Sequence, residues 1–294
     1  MKKVLVLLVA AMLAVTGAAA TGCGGEKDIL VVMREAGSGT REAFEKVVAK
    51  DGVTLEDISK DKTDKYSFVT KREEPNSTAG VITLVSSNKN AIGYVSLSSV
   101  GEDVKALTVE GVEPTTETVQ DGDYKIQRPF LLLTRADGTI TPAAQDFYNF
   151  CMSATALEHI DSEGLIEYPD RTPGTYVAAE FDTKQTINIS GSTSMREVMT
   201  KLVGAYGKVQ PNVEVKEAYP GSSGGRTAVK DDATGNTIGL ASASSPSENY
   251  KENTLCLDAV AVVVNPANKL EDISILQLFD IYTGAVKKFS EIDG

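Results

Sequence analysis

The 294-residue sequence predicts an α/β protein. Short runs rich in Val, Ile and Thr alternate with stretches whose apolar residues recur at helical spacing, and loops rich in Gly, Asp and Lys separate the two kinds. The predicted strands are residues 29–33, 91–96, 130–134, 186–190, 213–219, 237–242 and 259–264. The clearest helix is 195–206, where Met195, Val198, Met199, Leu202, Val203 and Tyr206 fall at i, i+3, i+4, i+7, i+8 and i+11. Ser194 and Glu197 give this helix the pattern of a capping box. A second helix follows strand 29–33, with Ala43, Phe44, Val47 and Val48 on one face. A third, 142–154, carries Ala143, Ala144, Phe147, Tyr148 and Phe150.

The N-terminus predicts export. Lys2 and Lys3 precede an apolar stretch, residues 4–15, and small residues then run to Gly22-Cys23. A basic start with a short apolar core reads as a secretory leader of residues 1–22, too short for a membrane span. Small residues directly before Cys23 read as a lipobox, which predicts lipid attachment at Cys23 and a protein tethered to the outer face of the cell membrane. The alternative is ordinary cleavage near residues 18–20.

Composition excludes several function classes. With 29 basic against 41 acidic residues and a net charge of −12, the chain lacks the basic surface that phosphate backbones require, so no nucleic acid is expected. A small anion is not excluded, because local dipoles and not net charge decide such a site. Beyond Cys23 the chain has Cys151 and Cys256, paired or as two buried thiols, and a single histidine, His159. Without CxxC or HxxxH spacing no metal site is expected, and no cofactor is implied. His159 sits in a polar stretch and reads as a surface residue, which leaves a Ser-His-Asp triad little to build on.

Three clusters of Gly, Ser and Thr stand at the carboxyl ends of predicted strands, where open α/β sheets bind ligands. They are Arg34 with Gly37-Ser38-Gly39-Thr40, then Gly191-Ser192-Thr193-Ser194, then Gly221-Ser222-Ser223-Gly224-Gly225. The first turn of a helix has N–H groups without intrahelical partners and a partly positive dipole end. Glycine lets an anion approach that backbone, and hydroxyls add donors. Arginine supplies a planar fork matching two oxygens of a tetrahedral oxyanion. Any one cluster alone reads as a cap or a turn; three together, one with an arginine, point to an oxyanion cradle. No Gly-Lys-Ser/Thr follows the glycines, so none is a P-loop. Arg41 and Arg196, just inside helices, read as solvated face residues.

The stretches INISGSTSMREVMTKLVGAY, YPGSSGG, DAVAVVVNPANKLEDISILQLFDIYTG, ILVVMREAGSGTREAF and KNAIGYVSLSSV together resemble the phosphate-binding lipoproteins of bacterial ABC importers. The resemblance covers nearly all of the chain beyond Cys23. It implies a periplasmic-binding-protein-like fold of type II: two α/β lobes, two hinge crossovers and a ligand cleft between the lobes. In that family the GSTS turn comes first and the RxxGSGT turn later. Here the order is reversed, and the chain reads as a circular permutant cut in an exposed loop. Mapped onto this order, lobe B is residues 26–98 plus 266–294, and lobe A is residues 101–265.

What the resemblance implies for function is a non-enzymatic receptor, monomeric, that captures inorganic phosphate and delivers it to ABC permease membrane subunits. The implied ligand-binding residues are Arg34, Ser38, Gly39 and Thr40 from lobe B, with Thr193, Ser194, Ser222 and Ser242 from lobe A. No catalytic residue is implied. Some family members carry an acidic residue where this chain has Ala243. A carboxylate there rewards a ligand with an O–H, so its absence leaves sulfate, molybdate or tungstate as alternatives, with Ser242, Ser244 or Asp258 as candidates to fill the gap. The remaining alternatives are a phosphate sensor for a partner kinase and an exported serine hydrolase using Ser38 or Ser194. The last lacks a GxSxG elbow.

Overall fold

The structure, a computed structural model, describes residues 26–292 except Asp170. The predicted leader and Cys23 lie outside the described residues. Among those described, no helix is long and apolar enough to cross a membrane.

Nine strands form one continuous sheet. In chain order they are β1 (Leu30–Val32), β2 (Arg72–Glu73), β3 (Ala91–Ser96), β4 (Lys105–Ala106), β5 (Gln127–Arg135), β6 (Gln185–Gly191), β7 (Val213–Ala218), β8 (Thr237–Ala241) and β9 (Tyr250–Val264). Across the sheet they run β7-β6-β8-β5-β9-β3-β1-β2, with β4 also on β9. β7, β6 and β8 are mutually parallel, as are β3, β1 and β2. Between these groups run β5 and β9, antiparallel to their neighbours.

The strand β9 is longer than predicted. Residues 250–259 pair with β5 and residues 260–264 pair with β3, so one strand serves both ends of the sheet. Only its apolar second half, 259–264, was legible, because the first half (YKENTLCLD) mixes polar and apolar residues on a partly exposed stretch.

Among the described residues, the two largest of four hydrophobic clusters flank that strand. Phe130, Leu132, Ile187, Ile189, Leu240 and Leu255 pack against the helices α3 (Pro142–Cys151) and α5 (Arg196–Val209) through Phe147, Leu202 and Tyr206. The free thiols of Cys151 and Cys256 are buried in this core. In the other core Phe44, from α1 (Gly39–Val47), stacks on Tyr94 at 4.1 Å, beside Tyr282 of α7 (Ile275–Thr283). Each such side chain withdrawn from water contributes roughly 1.5–3 kcal/mol.

The packing boundary differs from the expected one. Leu107, Val109, Val119, Tyr124 and Ile126, placed in lobe A by the sequence, pack with Phe44 and Tyr94, and so do Val260, Val262 and Val264. The chain therefore passes from one core to the other between Ile126 and Phe130 and between Cys256 and Ala259. The two passages are hydrogen-bonded neighbours: Val260 N donates to Ile126 O at 2.7 Å, and Asp258 stands opposite Arg128. Burial of alternate faces, which only long-range pairing sets, decides where a strand changes core.

Candidate functional site

β1 ends by delivering Arg34 into the interior, where it is only 2% exposed. Its amide donates to the Tyr94 hydroxyl at 3.0 Å. Its Nε and Nη2 donate to the two oxygens of Glu35 at 2.7 and 2.8 Å, and Nη1 reaches Thr78 Oγ1 at 3.4 Å. Gly37 turns the chain with a φ of +83°, which glycine adopts without strain. Ser38 then caps α1, accepting from Arg41 N at 3.4 Å. Arg41 is no solvated residue: it is buried, paired with Glu45 at 2.6 Å, and its Nη1 donates to Arg34 O at 3.0 Å. It braces the turn that carries the cluster. Arg196 is exposed as expected, lying over the Tyr219 ring.

On the opposite wall β6 runs into Gly191 and Ser192, and residues Thr193–Met195 form a single 3₁₀ turn before α5. The predicted capping box is not formed, since Met195 occupies the cap and no side chain caps the helix. Ser194 instead turns its hydroxyl to Thr40 at 3.0 Å and Thr78 at 3.2 Å. Ser222 behaves similarly. It opens α6 (Ser222–Asp231) behind Gly221, makes no cap bond, accepts from Ser242 N at 3.2 Å and lies 3.3 Å from Ser242 Oγ. Ser192 donates to the same Ser242 hydroxyl at 2.9 Å. The Ser194 and Ser222 hydroxyls are thus spent on the cluster between the lobes and not on their own helix starts.

Of the eight residues expected to bind ligand, Thr40 meets Ser194 across the cleft, Thr193 lies beside them on Thr78, and Ser222 and Ser242 bond each other on one wall, all buried. Gly39 lies between Ser222 and Ser242, where a Cβ would come within 2.6 Å of both hydroxyls. Arg34 joins the cluster through Thr78, and Ser38 supports it from the cap.

Three participants were missed. Thr78, behind the cap Ser77 of α2 (Thr78–Ser87), carries the same Ser-Thr signature at a helix start as the recognised clusters and was open to the same argument. It lies 3.3 Å from Thr193 Oγ1. Glu35 is held on the Arg34 fork, and a Cβ on Gly221 would stand 3.4 Å from its Oε1. Arg128, whose Nη1 donates to Thr40 Oγ1 at 2.8 Å, gave no local signal. It pairs with Asp258 at 2.8 Å, both nearly inaccessible, and Ser96 also donates to Asp258 at 2.7 Å. Burial pushes the Asp258 carboxyl up from its ordinary value against the pull of Arg128, and burial draws Arg128 down. Arginine keeps its proton, so the guanidinium stays a cation.

The candidates for the place at Ala243 are otherwise engaged. Asp258 serves Arg128, Ser244 Oγ donates to Glu252 at 2.6 Å, and Ser242 bonds Ser192 and Ser222. The hydroxyls of Ser38 and Ser194 meet the Arg41 amide and the Thr40 and Thr78 hydroxyls, while His159 lies on the separate helix Ala154–Asp161 of the other core.

Further contacts close the cleft mouth. Ser223 N donates to Gly37 O at 3.1 Å, Arg226 forms a two-pronged pair with Glu42 at 2.9 Å, and Lys46 donates to Ser244 O at 3.2 Å. Among the described residues no group of His, Cys, Asp and Glu could hold a metal ion.

Two lobes on paired crossover strands, with hydroxyls and arginines meeting between them, define a solute-binding protein of the two-lobed periplasmic-binding-protein-like class. The family model described as the PBP superfamily domain matches residues 19–155 and 177–294, and the chain belongs to that superfamily. It is 35% identical over 301 residues to the phosphate-binding protein PstS 2 of Streptococcus pneumoniae serotype 4, covering 97% of this chain and 98% of that one. The Streptococcus agalactiae serotype V protein of the same name is 34% identical over 268 residues, 90% of this chain and 87% of that one. A solved phosphate-binding protein of a phosphate ABC transporter from Streptococcus pneumoniae superposes with a TM-score of 0.65 at 33% identity, covering 90% of this chain and all of that one.

Proposed function

We propose that this protein is an extracytoplasmic receptor that captures inorganic phosphate between its lobes for an ABC importer. The observation that carries this reading is the convergence of Thr40 and Thr78 on one wall with Thr193 and Ser194 on the other, hydroxyls 3.0–3.3 Å apart and backed by Arg34 and Arg128. Hydroxyl and guanidinium donors at strand ends suit a tetrahedral oxyanion, and each charge-assisted bond in such a site is worth roughly 1.5–3 kcal/mol net. The four hydroxyls bond one another here. Entry of an anion replaces these neutral contacts with stronger ones to its oxygens, and the two lobes supply the donors only when closed together.

In this reading Arg34, Ser38, Gly39, Thr40, Thr193, Ser194, Ser222 and Ser242 line or support the ligand, with Thr78 added. The lobes hinge where the two strands change core, at residues 126–130 and 256–259. The leader is removed, Cys23 carries the lipid, and the monomer docks on permease subunits at the outer membrane face. The segment order also fits a permuted family branch. Relatives such as the Streptococcus pneumoniae protein align along nearly their whole length and so share the order. The phosphate-binding protein PstS of Bacillus subtilis aligns at 28% identity over 149 residues, 50% of this chain and 44% of that one, as a changed order leaves to a collinear comparison.

A second reading, capture of sulfate, molybdate or tungstate, is favoured by Ala243. Calorimetric titration of the lipid-free protein with phosphate, sulfate and molybdate, at two pH values spanning the second ionisation of phosphate, decides between them. Selective phosphate binding is expected. Preference for another anion moves the function to that importer, and no binding of any of them sinks the cradle.

A further inference from the structure

We infer that Arg128 is a positioning residue that orients the Thr40 hydroxyl as a donor into the cleft, an inference that rests on the anion-capture reading above. A guanidinium has five N–H donors and no acceptor. With Arg128 Nη1 at 2.8 Å, Thr40 Oγ1 must accept on that side. The positive charge behind it then turns the O–H dipole away from Arg128, toward Ser194 Oγ at 3.0 Å on the opposite wall. An anion oxygen arriving between the walls meets a hydrogen and not a lone pair. Without Arg128 the hydroxyl rotates freely and accepts from Ser194 as readily as it donates.

The geometry is held from behind. Arg128 and Asp258 face each other in register on β5 and β9, where the chain changes core. Arg128 Nε donates to Asp258 Oδ2 at 2.9 Å, and the Ser96 hydroxyl donates to the same oxygen. Asp258 thus fixes the guanidinium and balances its charge at a distance from the anion. Arg34 approaches Thr78 in the same sense but more loosely, at 3.4 Å, with its other edge spent on Glu35. Thr40 is therefore the hydroxyl of the cleft whose donor direction is most firmly set. Pre-aimed donors cost no reorganisation when the ligand binds.

A double-mutant cycle read by calorimetric titration with inorganic phosphate tests this. The paired variant Arg128→Gln with Asp258→Asn removes both charges without leaving either unpaired, and Thr40→Ala removes the hydroxyl. Thr40→Ala is expected to weaken phosphate binding about tenfold, the paired variant about tenfold with Thr40 present, and less than about twofold in the Thr40→Ala background. A merely structural part in the hinge would cost the same in both backgrounds, and that result overturns the inference. If thermal melting shows that the paired variant does not fold, the cycle is run with Arg128→Lys. That variant keeps a cation for Asp258 but lacks the guanidinium reach to Thr40, and it carries the same expectation. Failure of the unmodified protein to bind phosphate would overturn the function itself, and is read separately from an additive cycle in a protein that does bind.

Discussion

The hydroxyls of Thr40 and Ser194 lie 3.0 Å apart across the cleft, although 154 positions separate them in the chain. Neither side chain spends its hydroxyl on the helix start where it sits, and each faces the other lobe. In the proposed function a site divided in this way is complete only in the closed state, which couples binding to hinge motion.

Arg34 leads into the predicted turn, and its Nη1 joins the hydroxyl cluster through Thr78. Arg34→Ala is expected to weaken phosphate binding by about 2–3 kcal/mol, roughly 30- to 150-fold, partly by leaving Glu35 without its fork. Calorimetric titration of the variant checks this, and unchanged affinity would remove Arg34 from the site.

Gly39 tests closure without touching a charge. It sits in the first turn of α1 with ordinary helical backbone, so alanine is tolerated locally. Its Cβ, however, would stand 2.5 Å from Ser242 Oγ and 2.8 Å from the Ser242 carbonyl carbon on the other lobe. Gly39→Ala is expected to leave the melting temperature of the ligand-free protein nearly unchanged while holding the lobes apart. Solution scattering should then show no compaction when phosphate is added, and affinity should fall about tenfold or more, at about 1.4 kcal/mol per decade.

The Arg226–Glu42 pair spans the cleft mouth outside the hydroxyl cluster. It is partly exposed, at 12% and 26%, so solvent screening limits it to about 1 kcal/mol or less. Glu42→Gln is expected to raise the phosphate dissociation rate about three- to fivefold with little change in the association rate. Stopped-flow measurement at low and high salt checks it, the difference shrinking as salt rises.

Stability should peak at acidic pH. Burial raises the carboxyls of Glu45 and Asp258 above their ordinary values. The folded protein therefore holds protons that the unfolded chain has released, and stability declines as pH rises from the ordinary carboxylate range through the raised values. Exposed Asp51, Asp57 and Glu291 are shifted the other way, Asp51 by Lys65 and Tyr66, the others by backbone N–H donors. Their contribution is present above the ordinary range and is lost as pH falls through the lowered values. Melting temperatures in ligand-free buffer should be highest in the ordinary carboxylate range, near about pH 4, where the two windows meet. Glu45→Gln should flatten the decline toward neutrality, and an unaltered profile would contradict the assignment.

How much of this was legible depends on the range of each interaction. The face of α5 was readable because Val198, Met199, Leu202 and Tyr206 repeat at a local period, and all four are buried. The capping box at Ser194 was a local inference too, and it failed because two threonines from the other lobe compete for the same hydroxyl. The boundary near residue 100 failed for a related reason: Leu107 and Tyr124 carry no mark of which core they will enter.

By itself the sequence determined the α/β class, most of the strands and the three donor-rich turns, since strand and helix periods and turn chemistry act over a few residues. The tertiary structure alone decided that Arg128 and Asp258 stand opposite each other, that β9 spans both cores, and that Thr78 joins the cleft. Those outcomes depend on strand register and lobe closure, which sum weak contacts between residues more than a hundred positions apart, and no local pattern encodes such a sum.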